Sequence, residues 1–358
     1  MAKTSIEDRE FSVEISEVWK LFGVDTKAAM ADIRANGISK KEVLEKHNCV
    51  VGVADATMNI RPGEVVCVMG LCGCGKSTLV RHINRLLEPT TGKIVVNGED
   101  IMAMSPEALR KYRNEHIAMV FQNFALMPHR SVIDNVAMPL EIRDVPKNTR
   151  IDIAQSTLDM VELGAWGNKF AHELSGGMQQ RVGLARALAA DPEILLMDEP
   201  FSALDPLIRR QLQNEFMSLA ANMKKTTVFI THDLDEAVRI GDRIAIMRDG
   251  RVVQTGTPED IVMNPQDEYV SDFVAGISRL KVVRAHAVMQ PIKSFQSANG
   301  NLAKEAREFS KDANLGDLID ASIESDIPLA VTDSKGKRVG VITRADLLRT
   351  VVEGTETS

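Results

Sequence analysis

The chain has 358 residues, 44% of them hydrophobic and 26% charged, and a formal net charge of −7. This length suits one large domain and one smaller one, and the composition is that of an ordinary globular protein with ample apolar material for a core. The acidic balance argues against a nucleic-acid surface, no window approaches the roughly 18 consecutive apolar residues that cross a bilayer, and Met1 to Glu10 lacks the apolar stretch of a signal peptide.

Phe11 to Val18 alternates like a half-buried strand, and Thr26 to Lys46 reads as one or two short helices broken near Gly37. Val50 to Ile60 and Glu64 to Met69 read as strands separated by the turn Arg61-Pro62-Gly63. Cys49, Cys67, Cys72 and Cys74 crowd into this part of the chain; they suggest no disulfide framework and fit a reducing cytoplasm.

Directly after that strand, Gly70-Leu71-Cys72-Gly73-Cys74-Gly75-Lys76-Ser77 fits G-x-x-x-x-G-K-[ST], and a helical run, Ser77 to Leu87, follows. Its glycines let the backbone curl so that successive N–H groups point at phosphates, and the helix start adds a favourable dipole. Lys76 offers a point charge to the β and γ phosphates, and the Ser77 hydroxyl can ligate Mg²⁺.

Further along, Ile194 to Met197, Thr226 to Ile230 and Arg243 to Met247 are short apolar or β-branched runs suited to buried parallel strands. Asn97-Gly98 and Asp249-Gly250 are hairpin turns that add antiparallel pieces. The first run delivers Asp198 and Glu199 to the carboxyl end of the sheet, where ligands of α/β folds bind. There Asp198 can hold Mg²⁺, directly or through water, and Glu199 can polarise a water for in-line attack on the γ-phosphorus. The plainer alternative is an acidic helix start at Asp-Glu-Pro. The first domain is expected to end at about residue 276, after a helix near Glu268 to Ala275. Residues 277–358 restart as a small α/β unit: Ala287-Val288-Met289, a helix, strands Ile327 to Thr332 and Val339 to Thr343 around the turn Asp333-Ser334-Lys335-Gly336, and a helix from Arg344. Only the last few residues look disordered.

Leu174-Ser175-Gly176-Gly177-Met178-Gln179-Gln180-Arg181 resembles the signature of ABC ATPases, and physics agrees: Ser175 suits an N-cap, two glycines allow close approach, and a helix follows through Ala190. The resemblance spans about Phe11 to Ala275. It implies an α/β P-loop NTPase of ABC type with a mixed sheet and a helical subdomain, binding ATP and Mg²⁺ as a homodimer. It further implies that Gly70, Leu71, Cys72, Gly73, Cys74, Gly75, Lys76, Ser77 and Thr78 hold the nucleotide of one protomer, while Ser175, Gly176, Gly177 and Gln179 close on it from the other. Gln122 in Val-Phe-Gln is similar to the residue that senses Mg²⁺ and the attacking water, ahead of a surface for the membrane subunits. Ser202-Ala203-Leu204-Asp205 is similar to the segment that communicates across the dimer. His232 resembles the histidine on the γ-phosphate, although a lone histidine after a strand is more commonly a structural cap. Phe22 resembles the aromatic that stacks on adenine, with Trp19 as its rival.

Within ABC proteins the chain is similar to ATPase subunits of glycine betaine, proline betaine and choline importers. The insertion at about residues 26–49 with Gly37-Ile-Ser-Lys-Lys-Glu-Val-Leu carries that likeness, as do Asn84-Arg-Leu-Leu-Glu-Pro-Thr-Thr-Gly92 and Phe121-Gln-Asn-Phe-Ala-Leu-Met-Pro-His-Arg130. The tail is similar to a single CBS regulatory module. The resemblance implies permease subunits, a periplasmic or lipid-anchored solute-binding protein, no nucleic-acid partner, and a peripheral place on the cytoplasmic face of the inner membrane. Two Trp and two Tyr, scattered, make no aromatic cage for a quaternary ammonium, so the solute is expected to be recognised by partners. Trimethylamine oxide, carnitine, proline or a polar amino acid are alternative solutes. A non-transport ABC ATPase is a remote alternative, since long coiled coils are lacking. Cys72 and Cys74 stand where the family has serines, as size-compatible replacements, a redox pair, or half of a metal site.

Overall fold

The computed structural model describes residues 10–352 apart from Ala203, Lys224, Gly300 and Lys304. The expectations for the polar start and for the last few residues lie outside the described residues. The chain divides into two compact units, Met1–Thr255 and Gly256–Ser358. The division precedes the expected boundary at residue 276, so helices Pro258–Met263 and Glu268–Val274 fall with the second unit, where Met263 packs on its core.

In the first unit, a six-stranded sheet runs in the order Arg251–Gly256, Arg243–Arg248, Val65–Met69, Thr226–Ile230, Ile194–Asp198, Ile117–Val120. The last five are parallel neighbours. Val65–Met69, Ile194–Asp198 and Thr226–Ile230 are buried at every residue, which is why they read as unbroken apolar or β-branched runs rather than alternating ones. A second, antiparallel sheet has the order Val50–Ile60, Val13–Phe22, Thr91–Val96, Glu99–Asp100. Its Ile15, Ile60 and Ile94 share one core with Val66, Leu196 and Ile230 of the first sheet. The strand expected at Phe11 to Val18 in fact continues to Phe22, past register shifts around Glu17, whose φ is 49°. That irregularity breaks the alternation on which the shorter expectation rests.

Both hairpin turns adopt left-handed backbone at each central residue: Asn97 at 51° and Gly98 at 79°, Asp249 at 52° and Gly250 at 79°. The insertion forms two helices. Thr26–Asn36 stops at Gly37, and Lys40–His47 begins at Ser39, whose hydroxyl forms a capping box with Glu42. They bury Met30 and Val43 against Leu21 and Cys49. Helices Val132–Ile142, Lys147–Met160 and Gly176–Ala189 pack around Val136, Leu158 and Val182 as a separate helical cluster.

The second unit carries a four-stranded sheet, Gln290–Pro291, Arg338–Ile342, Leu329–Thr332, Glu308–Ser310, with helices Leu315–Glu324 and Arg344–Val352. Leu318, Val331, Ile342 and Leu347 form its core. Ala287 and Val288 lie in a helical turn, Ala285–Val288. The edge strand Glu308–Ser310 escapes the sequence reading because Phe309 is its one apolar residue.

Candidate active site

The buried strand Val65–Met69 ends in a loop whose glycines are sterically required. A Cβ on Gly70, at φ 143°, would lie 2.2 Å from the Met247 carbonyl oxygen; on Gly75, at φ 102°, it would lie 2.3 Å from that of Gly52. Leu71, Cys72 and Gly73 form the exposed rim, while Cys74 turns into the core beneath. Helix Lys76–Ile83 starts at Gly75 with no side chain capping it, which leaves its first-turn N–H groups, around Ser77 and Thr78, for an anion. Lys76 is buried, and its Nζ donates to the carbonyls of Gly70 (2.9 Å) and Leu71 (3.2 Å).

The fold brings Ser77 and Asp198 together, although 121 residues separate them. Ser77 Oγ donates to Asp198 Oδ1 at 2.7 Å. Arg81, one helical turn beyond Ser77, donates Nη2 to Asp198 Oδ2 at 3.0 Å. Asp198 is only 3% exposed. A hydroxyl beside a carboxylate is the hard-oxygen pair that Mg²⁺ takes when phosphates complete its shell. Among the described residues no group of three His, Cys, Asp or Glu could hold a metal by itself.

Glu199 follows with a left-handed backbone, φ 46°, a conformation that costs a non-glycine residue and is common at functional turns. Its Oε2 lies 3.4 Å from His232 Nδ1. Asp233, not His232, caps the next helix by accepting from Glu236 N at 3.1 Å, so the histidine is left half-exposed and free of the capping role. Gln122 donates Nε2 to Ser202 Oγ at 3.4 Å, and Ser202 donates on to the Glu199 carbonyl at 3.0 Å. Behind Glu199 and His232 sits a cavity of about 10 Å³, near the size for one water, lined also by Arg209, Thr231 and Glu236. Burial pushes the Glu236 carboxyl above its ordinary range, while Gln213 donates to it at 2.8 Å.

Phe22 is 40% exposed, and its ring rests where a Cβ on Gly52 would lie 2.6 Å from Cε2. Trp19 instead packs beside the Leu21 and Cys49 cluster under Arg251, so Phe22 is the more accessible aromatic. Ser175 caps helix Gly176–Ala189, accepting from Met178 N at 3.4 Å, and open space lies over Gly176. A Cβ on Gly177 would lie 2.8 Å from Ile208 Cγ2. The Gln179 amide donates to the carbonyls of Ala171 (3.0 Å) and Leu174 (3.1 Å), fixing the turn before the helix. Asp205 accepts from Leu207 N and Ile208 N, capping helix Pro206–Met223. Among the described residues no hydrogen bond or ion pair joins Ser175–Gly177 to residues 70–78, and Ala203 lies outside them. The structure adds Gly52 and Arg81, which sequence reasoning missed. The spacing from Ser77 to Arg81, one turn on one helix face, was the available signal for the second.

A family model described as ABC transporter matches residues 53–202. The glycine betaine transport ATP-binding protein OpuAA of Bacillus subtilis is 41% identical, covering 96% of this chain and 93% of its own. The chain belongs to the ATP-binding subunits of ABC transporters. ProV of Escherichia coli, a glycine betaine/proline betaine transport system ATP-binding protein, is 50% identical over 76% of this chain and 68% of its own. TmoW of Pelagibacter ubique, a trimethylamine N-oxide transport system ATP-binding protein, is 40% identical over 95% and 97%. A solved dimeric ATP-binding cassette, MJ0796, in a post-hydrolysis state bound to ADP and Pi, is 30% identical with a TM-score of 0.58, covering 69% of this chain and 98% of that one. As a member of this family the subunit is an ATPase with an ABC cassette fold, and the sequence expectation for its fold and its ATP chemistry holds.

Proposed function

We propose that the chain energises import of a quaternary-amine osmolyte, such as glycine betaine, choline or trimethylamine N-oxide, across the inner membrane. The observation that carries the reading is likeness along nearly the whole chain to ATP-binding proteins of glycine betaine and trimethylamine N-oxide transport. In this reading a homodimer sits on the cytoplasmic face, bound to permease subunits and served by a periplasmic or lipid-anchored solute-binding protein. A groove of about 260 Å³ beside the Gln122 segment, lined largely by apolar residues such as Met119, Phe121, Met138 and Pro139, supports docking of a permease helix. The β-α-β-β-α succession from Glu308 to Val352 supports the reading of the second unit as a CBS-like regulatory module.

The site residues then divide the work. Loop 70–75 and the first turn of helix Lys76–Ile83 cradle the phosphates, with Lys76 leaving its loop carbonyls for the β and γ oxygens. Ser77 and Asp198 would hold Mg²⁺, which supplies neutralisation of phosphate charge when bound. Glu199 accepts a proton from the attacking water, and His232 at 3.4 Å orients that carboxylate. Gln122, tied through Ser202 to the Glu199 backbone, carries the state of the site to the permease surface. Phe22 stacks on adenine, and Ser175–Gly177 of a second copy close over the γ-phosphate. The test is ATPase activity of the subunit reconstituted with its permease and binding protein, against a panel of methylated amines and amino acids. Stimulation by glycine betaine, choline or trimethylamine N-oxide is expected. Stimulation by proline or a polar amino acid alone would overturn the solute assignment and leave the ATPase standing.

A further inference from the structure

The Asp198 carboxylate has both oxygens engaged: Oδ1 by the Ser77 hydroxyl at 2.7 Å and Oδ2 by Arg81 Nη2 at 3.0 Å. The two carbon-borne partners differ in what holds them. Ser77 is fixed on the first turn of its helix. The Arg81 side chain is 43% exposed, against 4% for that of Asp198, and its Nε is buried with no hydrogen-bond partner. The guanidinium is therefore held chiefly by one charged contact and has solvent beside it into which to swing. A carboxylate as buried as Asp198 needs a positive partner, because an unpaired charge in a low-dielectric setting is costly.

We propose that Arg81 is an internal counter-cation for Asp198, a positioning residue that competes with the divalent metal. In the metal-free protein it neutralises and orients the carboxylate; when Mg²⁺ arrives with nucleotide, Arg81 gives up Oδ2 and turns toward solvent. Its presence prepares Asp198 and at the same time lowers metal affinity, which speeds release of the metal after hydrolysis. The inference rests on the reading of Ser77 and Asp198 as the metal ligands. The competition follows from the site's chemistry: two cations, one buried carboxylate, and a hydroxyl shared by both states.

The probe is Mn²⁺, titrated by electron paramagnetic resonance into the Glu199→Gln subunit saturated with the β,γ-imido analogue of ATP. In that background Arg81→Gln and Arg81→Met are expected to bind Mn²⁺ about tenfold more tightly, equivalent to roughly 1.4 kcal/mol. Arg81→Lys, which keeps the charge, is expected to stay near the parent. In the absence of metal and nucleotide the neutral variants should melt at lower temperature than the parent. Mn²⁺ affinity that is unchanged or weaker in Arg81→Gln, with nucleotide affinity intact, overturns the proposal. Asp198→Asn separates the two levels: if the parent's Mn²⁺ affinity does not fall in that variant, the metal-site reading itself has failed.

Discussion

Cys74 points inward beneath the phosphate loop, 7% exposed and packed with the main core, whereas Cys72 stands exposed on the rim. Burial pushes the Cys74 thiol up, so it stays protonated and slow to react. Alkylation by iodoacetamide should therefore mark Cys72 first, and Cys74→Ser should change ATP hydrolysis little. Loss of activity on mild oxidation, restored by a thiol reductant, would instead favour the redox pair. Glu236 offers a pH test. Its carboxyl is raised above the ordinary value near 4.5 by desolvation, so its contribution to stability is complete below that value and is lost as pH rises through the folded pKa. Glu236→Gln is permanently neutral, and its stability relative to wild type in urea unfolding should grow from about pH 4 to neutrality. Curves that stay parallel across that range would contradict the assignment.

The elements that hold the site were legible in unequal measure. Strands Val65–Met69 and Ile194–Asp198 announce themselves because full burial demands continuous apolar residues, and the loop between strand and helix is written in glycines. The insertion was legible through Gly37 and the Ser39 to Glu42 box, both local signals. The segment Phe121 to Arg130 was not, because its shape depends on a residue far along the chain. Arg186, 7% exposed, donates to the carbonyls of Ala125 (2.6 Å) and Phe124 (2.8 Å), which themselves have φ of 49° and 55°. No local pattern encodes such a contact across 61 residues. Arg186→Met should cost about 1.5–3 kcal/mol in urea unfolding, with hydrogen exchange accelerated in residues 121–130. Wild-type protection there would show that the segment holds its form unaided.

At the scale of the molecule, two compact units with separate cores share one chain. Unfolding should not be a single two-state event. MgATP at about a hundred times its Kd should add about 2.7 kcal/mol to the first unit and leave the second unmoved. An upward shift of both transitions would contradict a nucleotide site confined to residues before Gly256. Salt and adenine-nucleotide sensitivity of transport that survives truncation at Thr255 would likewise remove the regulatory role of the second unit. The signature Ser175–Gly177 caps the start of its own helix, and in the proposed cycle a second copy brings it over loop 70–78. The most direct test is size-exclusion chromatography with light scattering on Glu199→Gln, with and without MgATP. A stable dimer formed with MgATP, and lost when Ser175→Arg or Gly177→Arg is added, is the predicted result. A monomer under all conditions, or a dimer indifferent to nucleotide and to both signature substitutions, would contradict it.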